Sequence, residues 1–200
     1  MIHLVIGGAR SGKSNYAEQL IQTSVIKKQK KPVYLATGVA LDGEMADRII
    51  RHKQQRIKAN ESMPYPWQLK ESPLHIAQDC QQYDGNHILL IDCLSLWLNN
   101  HLQRVTQQEQ NDDEMHQYLI CEREVLLTAL TKTKCDVVLV SNEVGMGVVP
   151  MGKETRWFVD HLGWINQAIA QLADRVTLMT AGIPLNLKVN ASEKGELNHG

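Results

Sequence analysis

The chain has 200 residues, 43% of them hydrophobic, with 21 basic against 22 acidic side chains and a formal net charge of −1. That length and apolar content suit one domain of ordinary size with a real core, and the charge balance gives no whole-chain field for nucleic acid or an anionic membrane. No apolar run is long enough to span a bilayer, and residues 1–9 lack the basic stretch and long apolar run of a signal peptide, so a cytoplasmic protein is expected. The four cysteines, Cys80, Cys93, Cys121 and Cys135, form no Cys-x-x-Cys pair. Cys93 and Cys135 border apolar runs and read as buried thiols, not as zinc ligands or a disulfide framework.

Residues 2–6 predict a short buried strand. Gly7-Gly8-Ala9-Arg10-Ser11-Gly12-Lys13-Ser14 follows and fits G-x-x-x-x-G-K-[ST]; residues 15–22 are good helix formers with Ala17, Leu20 and Ile21 as the apolar positions. Strand, glycine loop and helix are the context this phosphate-binding motif requires. The glycines let the backbone curl so that several N–H groups face one anion, and the helix start adds its unpaired N–H groups and positive dipole end. In such a loop Lys13 reaches the β and γ phosphates of a nucleotide and the Ser14 hydroxyl holds Mg²⁺. A glycine-rich turn with a chance Lys-Ser is the bland alternative, and it leaves the agreement of motif and context unexplained.

Residues 27–31 are basic and polar, a loop or frayed helix end, before a second strand at 33–36. Thr37-Gly38 ends that strand at its carboxyl end, where open α/β sheets collect ligands. Residues 42–59 predict a long amphipathic helix, basic toward its end, on which Arg48, His52 and Gln55 share one face, as do His52 and Arg56. His52 is an incidental histidine on a solvated face, a hydrogen-bond donor to phosphate, or a nucleophile toward phosphorus. Pro64, Pro66 and Pro73 rule out a continuous helix over 60–73; residues 67–70 are a marginal strand with Glu71 after it, residues 74–80 a short helix and 83–86 a turn.

Residues 87–92 predict the clearest buried strand after the first, ending in Asp92. An acid closing an apolar strand, in a chain with this loop, is either the second Mg²⁺-site carboxylate or the N-cap of the next helix. A helix is expected over 94–102, an exposed Gln-rich loop over 104–113, a helix over 115–130, and an apolar strand over 137–140 that suits a parallel sheet covered on both faces. A long loop follows at 142–150, then a helix over 155–173, a strand over 175–180 and a marginal edge strand over 185–189. Residues 190–200 are small, charged and polar, and a disordered tail is expected there. The repeated β-α order, with five or six strands, predicts one three-layer α/β P-loop nucleoside triphosphate hydrolase-like domain over 1–189, with a mostly parallel central sheet.

Beyond the loop, the chain resembles the bifunctional adenosylcobinamide kinase/adenosylcobinamide-phosphate guanylyltransferase family of cobalamin biosynthesis. The residues that carry the resemblance are 7–14, Tyr34-Leu35-Ala36-Thr37, Glu44-Met45-Ala46-Asp47-Arg48-Ile49-Ile50-Arg51-His52-Lys53, 67–73 and Leu89-Leu90-Ile91-Asp92-Cys93. They continue with 140–150, 163–173 including Asn166-Gln167, and Ala181-Gly182-Ile183-Pro184. Arg48-Ile49-x-x-His52 and Asn142-Glu143-Val144-Gly145-Met146-Gly147 are the specific parts, since the loop alone is shared by many families.

The resemblance implies phosphorylation of the aminopropanol hydroxyl of adenosylcobinamide with ATP or GTP. Transfer of GMP from GTP to that phosphate follows, through GMP carried on His52, with pyrophosphate released. It implies nucleotide contacts from Gly7, Gly8, Ala9, Arg10, Ser11, Gly12, Lys13 and Ser14, from Ala36, Thr37 and Gly38, and from Lys53, Gln54, Gln55 and Arg56. Lys13 is expected to act beside His52 in catalysis, Glu71 and Asp92 on the guanine or metal side, and Ser14 and Asp92 as the Mg²⁺ ligands. It also implies a homo-oligomer, a trimer in particular, and a final antiparallel strand. Asp92 stands where some members have Glu. Two other readings remain open from the residues: a small-molecule kinase in which His52 only positions phosphate, and a nucleotide-binding regulatory protein without turnover.

Overall fold

Four of the apolar runs are inner strands of one sheet, and the period of two in a strand sends their side chains alternately to opposite faces. In the structure, a computed structural model that describes residues 1–38, 64–107 and 111–189, each face is covered by helices. The elements in chain order are β1 (Ile2–Gly7), α1 (Lys13–Lys28), β2 (Lys31–Ala36), β3 (Gln68–Glu71), α2 (Ile76–Cys80) and β4 (His87–Asp92). They continue with α3 (Leu94–Gln107), α4 (Asp112–Lys132), β5 (Asp136–Asn142), α5 (Lys153–Leu172), β6 (Arg175–Thr180) and β7 (Ile183–Lys188). The strand order is β3-β2-β4-β5-β1-β6-β7, parallel throughout except for the antiparallel β6–β7 pair.

On one face Val5, Tyr34, Ile88, Leu90, Val138 and Val140 pack against Ala17, Ile21 and Val25 of α1. On the other, Leu4, Leu35, Leu89, Ile91, Val137 and Leu139 pack against α2, α3, α4 and α5, with Trp97, Leu126, Leu162 and Ile169 among the buried contributors. Most of these side chains are fully buried, each worth roughly 1.5–3 kcal/mol relative to exposure. Burial on both faces explains why the inner strands read as continuous apolar runs without alternation.

The first strand is pinned at its start. The Met1 ammonium and Lys30 each lie 2.8 Å from Asp136, and the Val137 amide donates to the Met1 carbonyl at 2.8 Å. Burial alone would raise the Asp136 carboxyl, but hydrogen bonds from Lys30 and the terminal ammonium outweigh it and hold the pKa below its ordinary value. With β5 on one side and β6 on the other, β1 delivers Gly7 to a fixed point on the carboxyl edge of the sheet.

Three expectations change. Both marginal segments form strands, β3 and β7, so the sheet has seven strands and not five or six. Among the described residues of the loop expected over 104–113, all but Asn111 are helical: the helix α3 runs to Gln107 because Val105 is fully buried, and α4 starts at Asp112. Asn111 caps α4, accepting from the Glu114 amide while Glu114 accepts from the Asn111 amide, a capping box. Helix α1 continues to Lys28, well past residue 22. The helix expected over 42–59 and the tail at 190–200 lie outside the described residues. No described helix is long and apolar enough to cross a membrane.

Candidate active site

The connection leaving β1 enters α1 on one face of the sheet, while the connection leaving the adjacent β5 enters α5 on the other. Neighbouring strands whose connections diverge open a crevice at their carboxyl ends, the place where open α/β sheets bind ligands. Residues 8–12 form the mouth of that crevice.

The loop is built by close approaches that only glycine permits. A Cβ on Gly7 would lie 2.5 Å from the Met179 carbonyl oxygen and 2.6 Å from Ser11 Oγ. Gly12 has φ 91°, a left-handed conformation that glycine adopts without penalty, and directly precedes α1. The Gly182 amide donates to the Ser11 carbonyl at 3.0 Å, and the Glu143 amide donates to the Gly7 carbonyl at 3.0 Å. Turns after β5 and β6 therefore hold the loop from both sides. Lys13 is buried and its ammonium donates to the Gly8 carbonyl at 2.9 Å, curled back over the loop. Helix α1 starts with no side-chain cap and no acid in its first turn, which leaves its dipole end available to an anion. The Ser11 hydroxyl is buried without a hydrogen-bond partner among the described residues.

Asp92 closes β4 and continues the set Ile88 and Leu90 that faces α1. Tyr34, on the same face of β2, donates its hydroxyl to Asp92 Oδ2 at 3.0 Å. Helix α3 begins at Leu94, so Cys93 and not Asp92 directly precedes it. Burial pushes the Cys93 thiol pKa up, the Asp92 carboxylate adds to this, and the Ser95 hydroxyl and Lys13 work against it.

Ala36 pairs with Asp92 on one side and Glu71 on the other, so the two acids flank β2 at the same level, roughly 10 Å apart at two strand spacings. Thr37 is fully buried and locked: its hydroxyl donates to the Cys93 carbonyl at 2.8 Å and accepts from the Cys93 amide at 2.7 Å. Asn100 donates to the Thr37 carbonyl at 2.8 Å and to the Pro73 carbonyl at 3.0 Å, fastening the ends of β2 and β3 to α3. Residues 7–14, Ala36, Thr37, Gly38, Glu71 and Asp92 thus share the carboxyl edge of the sheet, with Asp92 two strands and Glu71 four strands from β1. His52, Lys53, Gln54, Gln55 and Arg56 lie outside the described residues.

Asn100 has a place at the site that the amino-acid pattern did not single out, and Tyr34 has a role there that its place in Tyr34-Leu35-Ala36-Thr37 did not reveal. By itself Tyr34 reads as one more residue of an apolar strand. An amide on the half-buried side of α3, one turn after Trp97, was the available signal for Asn100. Asn142 ends β5 beside Gly7, donates to Ser95 Oγ at 3.0 Å, and receives Asn166 Nδ2 at its carbonyl at 3.0 Å.

The donor set suits Mg²⁺, which takes oxygen ligands and is commonly held by one carboxylate or hydroxyl together with nucleotide phosphates and water. Ser14 is the second residue of α1 and Asp92 ends a strand on the same face, and no group of three or more His, Cys, Asp or Glu side chains forms an all-protein metal cage among the described residues. The chemistry this edge supports is the binding and polarisation of a nucleoside triphosphate.

Comparison with known proteins agrees. Residues 3–187 match a family model described as cobinamide kinase / cobinamide phosphate guanyltransferase. A Pseudomonas aeruginosa protein named bifunctional adenosylcobalamin biosynthesis protein CobP is 42% identical over 189 residues, spanning 94% of this chain and 98% of that one. The Salmonella typhimurium and Escherichia coli proteins named bifunctional adenosylcobalamin biosynthesis protein CobU are 37% and 36% identical, each over 94% of this chain and 100% of the relative. A match over nearly the whole chain, by family and by relatives, means that the protein belongs to the cobinamide kinase / cobinamide phosphate guanyltransferase family.

Proposed function

We propose that both activities of this bifunctional enzyme of adenosylcobalamin biosynthesis run through the crevice between β1 and β5, with GMP carried on His52 between them. The observation that supports this most is the phosphate loop, residues 7–14, seated at the sheet edge with Asp92 at the end of β4. The fold that carries it is a P-loop nucleoside triphosphate hydrolase-like domain over residues 1–189. The enzyme acts in the cytoplasm, as a homo-oligomer, trimeric in the manner the resemblance implies.

In the kinase reaction the aminopropanol oxygen of adenosylcobinamide bonds to the γ phosphorus of ATP or GTP. The bond from γ phosphorus to the bridging oxygen breaks, and the nucleoside diphosphate and a proton leave. In the second reaction an imidazole nitrogen of His52 bonds to the α phosphorus of GTP and pyrophosphate departs. An oxygen of adenosylcobinamide phosphate then attacks the same phosphorus, the P–N bond breaks, and adenosyl-GDP-cobinamide leaves with His52 restored.

The backbone amides of residues 8–12 and the start of α1 bind the phosphates. Lys13, swung from the Gly8 carbonyl, offsets the charge that develops on the β and γ oxygens. Arg10 and Arg56 add charge at the same phosphates. Ala36, Thr37, Gly38 and Glu71 flank the nucleoside, with Lys53, Gln54 and Gln55 completing its contacts. Mg²⁺, held by Ser14 and Asp92, supplies Lewis-acid neutralisation of the phosphate oxygens when bound. Tyr34 fixes the Asp92 carboxylate for that role.

Product analysis tests the reading. Purified protein with Mg²⁺, ATP, GTP and adenosylcobinamide is expected to give adenosylcobinamide phosphate and then adenosyl-GDP-cobinamide, resolved by mass spectrometry. Phosphate without the GDP conjugate would reduce the protein to a kinase, and neither product would leave a nucleotide binder.

A further inference from the structure

A second concavity lies on the opposite side of β5 from α1. It is a cavity of about 780 Å³, within the range of small-molecule sites, between α3, the start of α4 and the start of α5. Its inner wall is Ser95 and Asn142, which are hydrogen-bonded to each other at 3.0 Å. Asn142 is the register partner of Gly7, the first glycine of the phosphate loop. The cavity therefore reaches the same sheet edge as the nucleotide crevice, but from the α5 side.

Its chemistry is specific. Amides from Asn99, Gln103 and Gln107 line one wall and the rings of Trp157 and Phe158 another. Lys153 and Asp112 form an ion pair, Glu154 adds one carboxylate to the lining, and the rest of the recognition surface is amide, hydroxyl, aromatic and aliphatic. The loop from 143 to 152 joins two lining residues, Asn142 and Lys153. That loop carries Met146, Val148, Val149 and Met151 at 73–95% exposure. Four apolar side chains left in water on a loop between two lining residues need a partner surface to gain from burial.

We propose that this cavity binds the corrinoid acceptor. A corrinoid is an apolar macrocycle fringed with primary amides, and its complement is a wall of side-chain amides together with aromatic and aliphatic surface. The amide fringe and the aminopropanol arm lie against α3 and α5, and Met146 to Met151 cover a face of the ring. The arm then reaches past Asn142 toward the phosphates at residues 8–12, so that acceptor and nucleotide approach from opposite faces of the sheet. This rests on the corrinoid being the acceptor, as in the functional reading above.

Equilibrium dialysis against adenosylcobinamide, in the dark, tests it, with wild type, Gln103→Leu and Phe158→Ala. Both side chains are half-buried, and a thermal melt checks each variant for folding. The dissociation constant for adenosylcobinamide is expected to rise about ten-fold or more in each folded variant, while the half-saturating GTP concentration in corrinoid-free self-labelling stays within about two-fold. Unchanged adenosylcobinamide affinity in the folded variants overturns the inference. So does a rise confined to the half-saturating GTP concentration, which would assign the cavity to the nucleotide. Wild type that binds and turns over no corrinoid would overturn the functional reading with it, whereas wild type that does so while both variants match it overturns this inference alone.

Discussion

Replacing Gly7 by alanine puts a methyl group 2.5 Å from the Met179 carbonyl oxygen and 2.6 Å from Ser11 Oγ. Neither neighbour yields easily. Met179 belongs to β6, Gly7 is paired to both β5 and β6, and Ser11 is buried within the phosphate loop. Overpacking of this kind costs typically about 1–3 kcal/mol. In a chain of this length each kcal/mol lowers the melting temperature by about 2–4 °C, so Gly7→Ala is expected to melt about 2–12 °C below wild type. If the loop moves instead, the same energy is withdrawn from GTP binding, about 5- to 150-fold at ten-fold per 1.4 kcal/mol. Gly8 is the internal comparison: a Cβ there meets nothing within 4 Å, so Gly8→Ala is expected to leave the melting temperature within about 2 °C. Differential scanning calorimetry and GTP titration of the two variants decide it. A Gly7→Ala protein with wild-type melting temperature and wild-type GTP affinity would refute the packing argument.

Asp92→Asn keeps an acceptor for the Tyr34 hydroxyl but removes the charge, so the fold should persist while both reactions slow and their Mg²⁺ dependence moves to higher concentration; an unchanged Mg²⁺ titration would remove Asp92 from the metal site. Asn111→Ala deletes the cap of α4 and is expected to cost about 1 kcal/mol, or about 2–4 °C in melting temperature, without altering KM for GTP. Burial lowers the pKa of His3, His101 and His161 from 6.5 to about 4 each, with Arg175 beside His3, Arg104 near His101 and His116 beside His161 acting in the same direction. Between those values the unfolded chain binds protons that the folded chain does not, so stability is full above pH 6.5 and falls as pH drops toward 4. Urea midpoints that stay level from pH 7 to pH 5 would contradict that assignment.

Much of the architecture was legible because its signals are local. A glycine loop between strand and helix fixes β1 and α1, and continuous apolar runs mark β4 and β5 as strands covered on both faces. The extent of α3 was not legible. Residues 104–107 are polar except Val105, and only its burial against the rest of the core draws that turn into the helix. The edge strands β3 and β7 were marginal because strand formation there depends on pairing with β2 and β6, a long-range term.

At the site, the loop and Asp92 carry motif-level signals, whereas Tyr34 and Asn100 act through contacts that no short spacing encodes. Their partners are 58 and 63 residues away for Asp92 and Thr37. The residues left three readings of His52 open, the family resemblance selected the nucleophile, and that residue lies outside the described part of the chain. Family membership and the phosphate-loop geometry converge on the nucleotide without depending on one another. The route taken by GMP is the claim that most needs a direct test.

Covalent labelling gives that test. Wild type and His52→Ala are incubated with Mg²⁺ and GTP labelled at the α phosphate, with γ-labelled GTP as the control, and are separated under denaturing conditions. The account predicts label on wild type from the α position only, acid-labile and alkali-stable as a phosphoramidate is, and none on His52→Ala. Wild type that binds GTP yet acquires no α label, or a His52→Ala protein labelled as strongly as wild type, would contradict it.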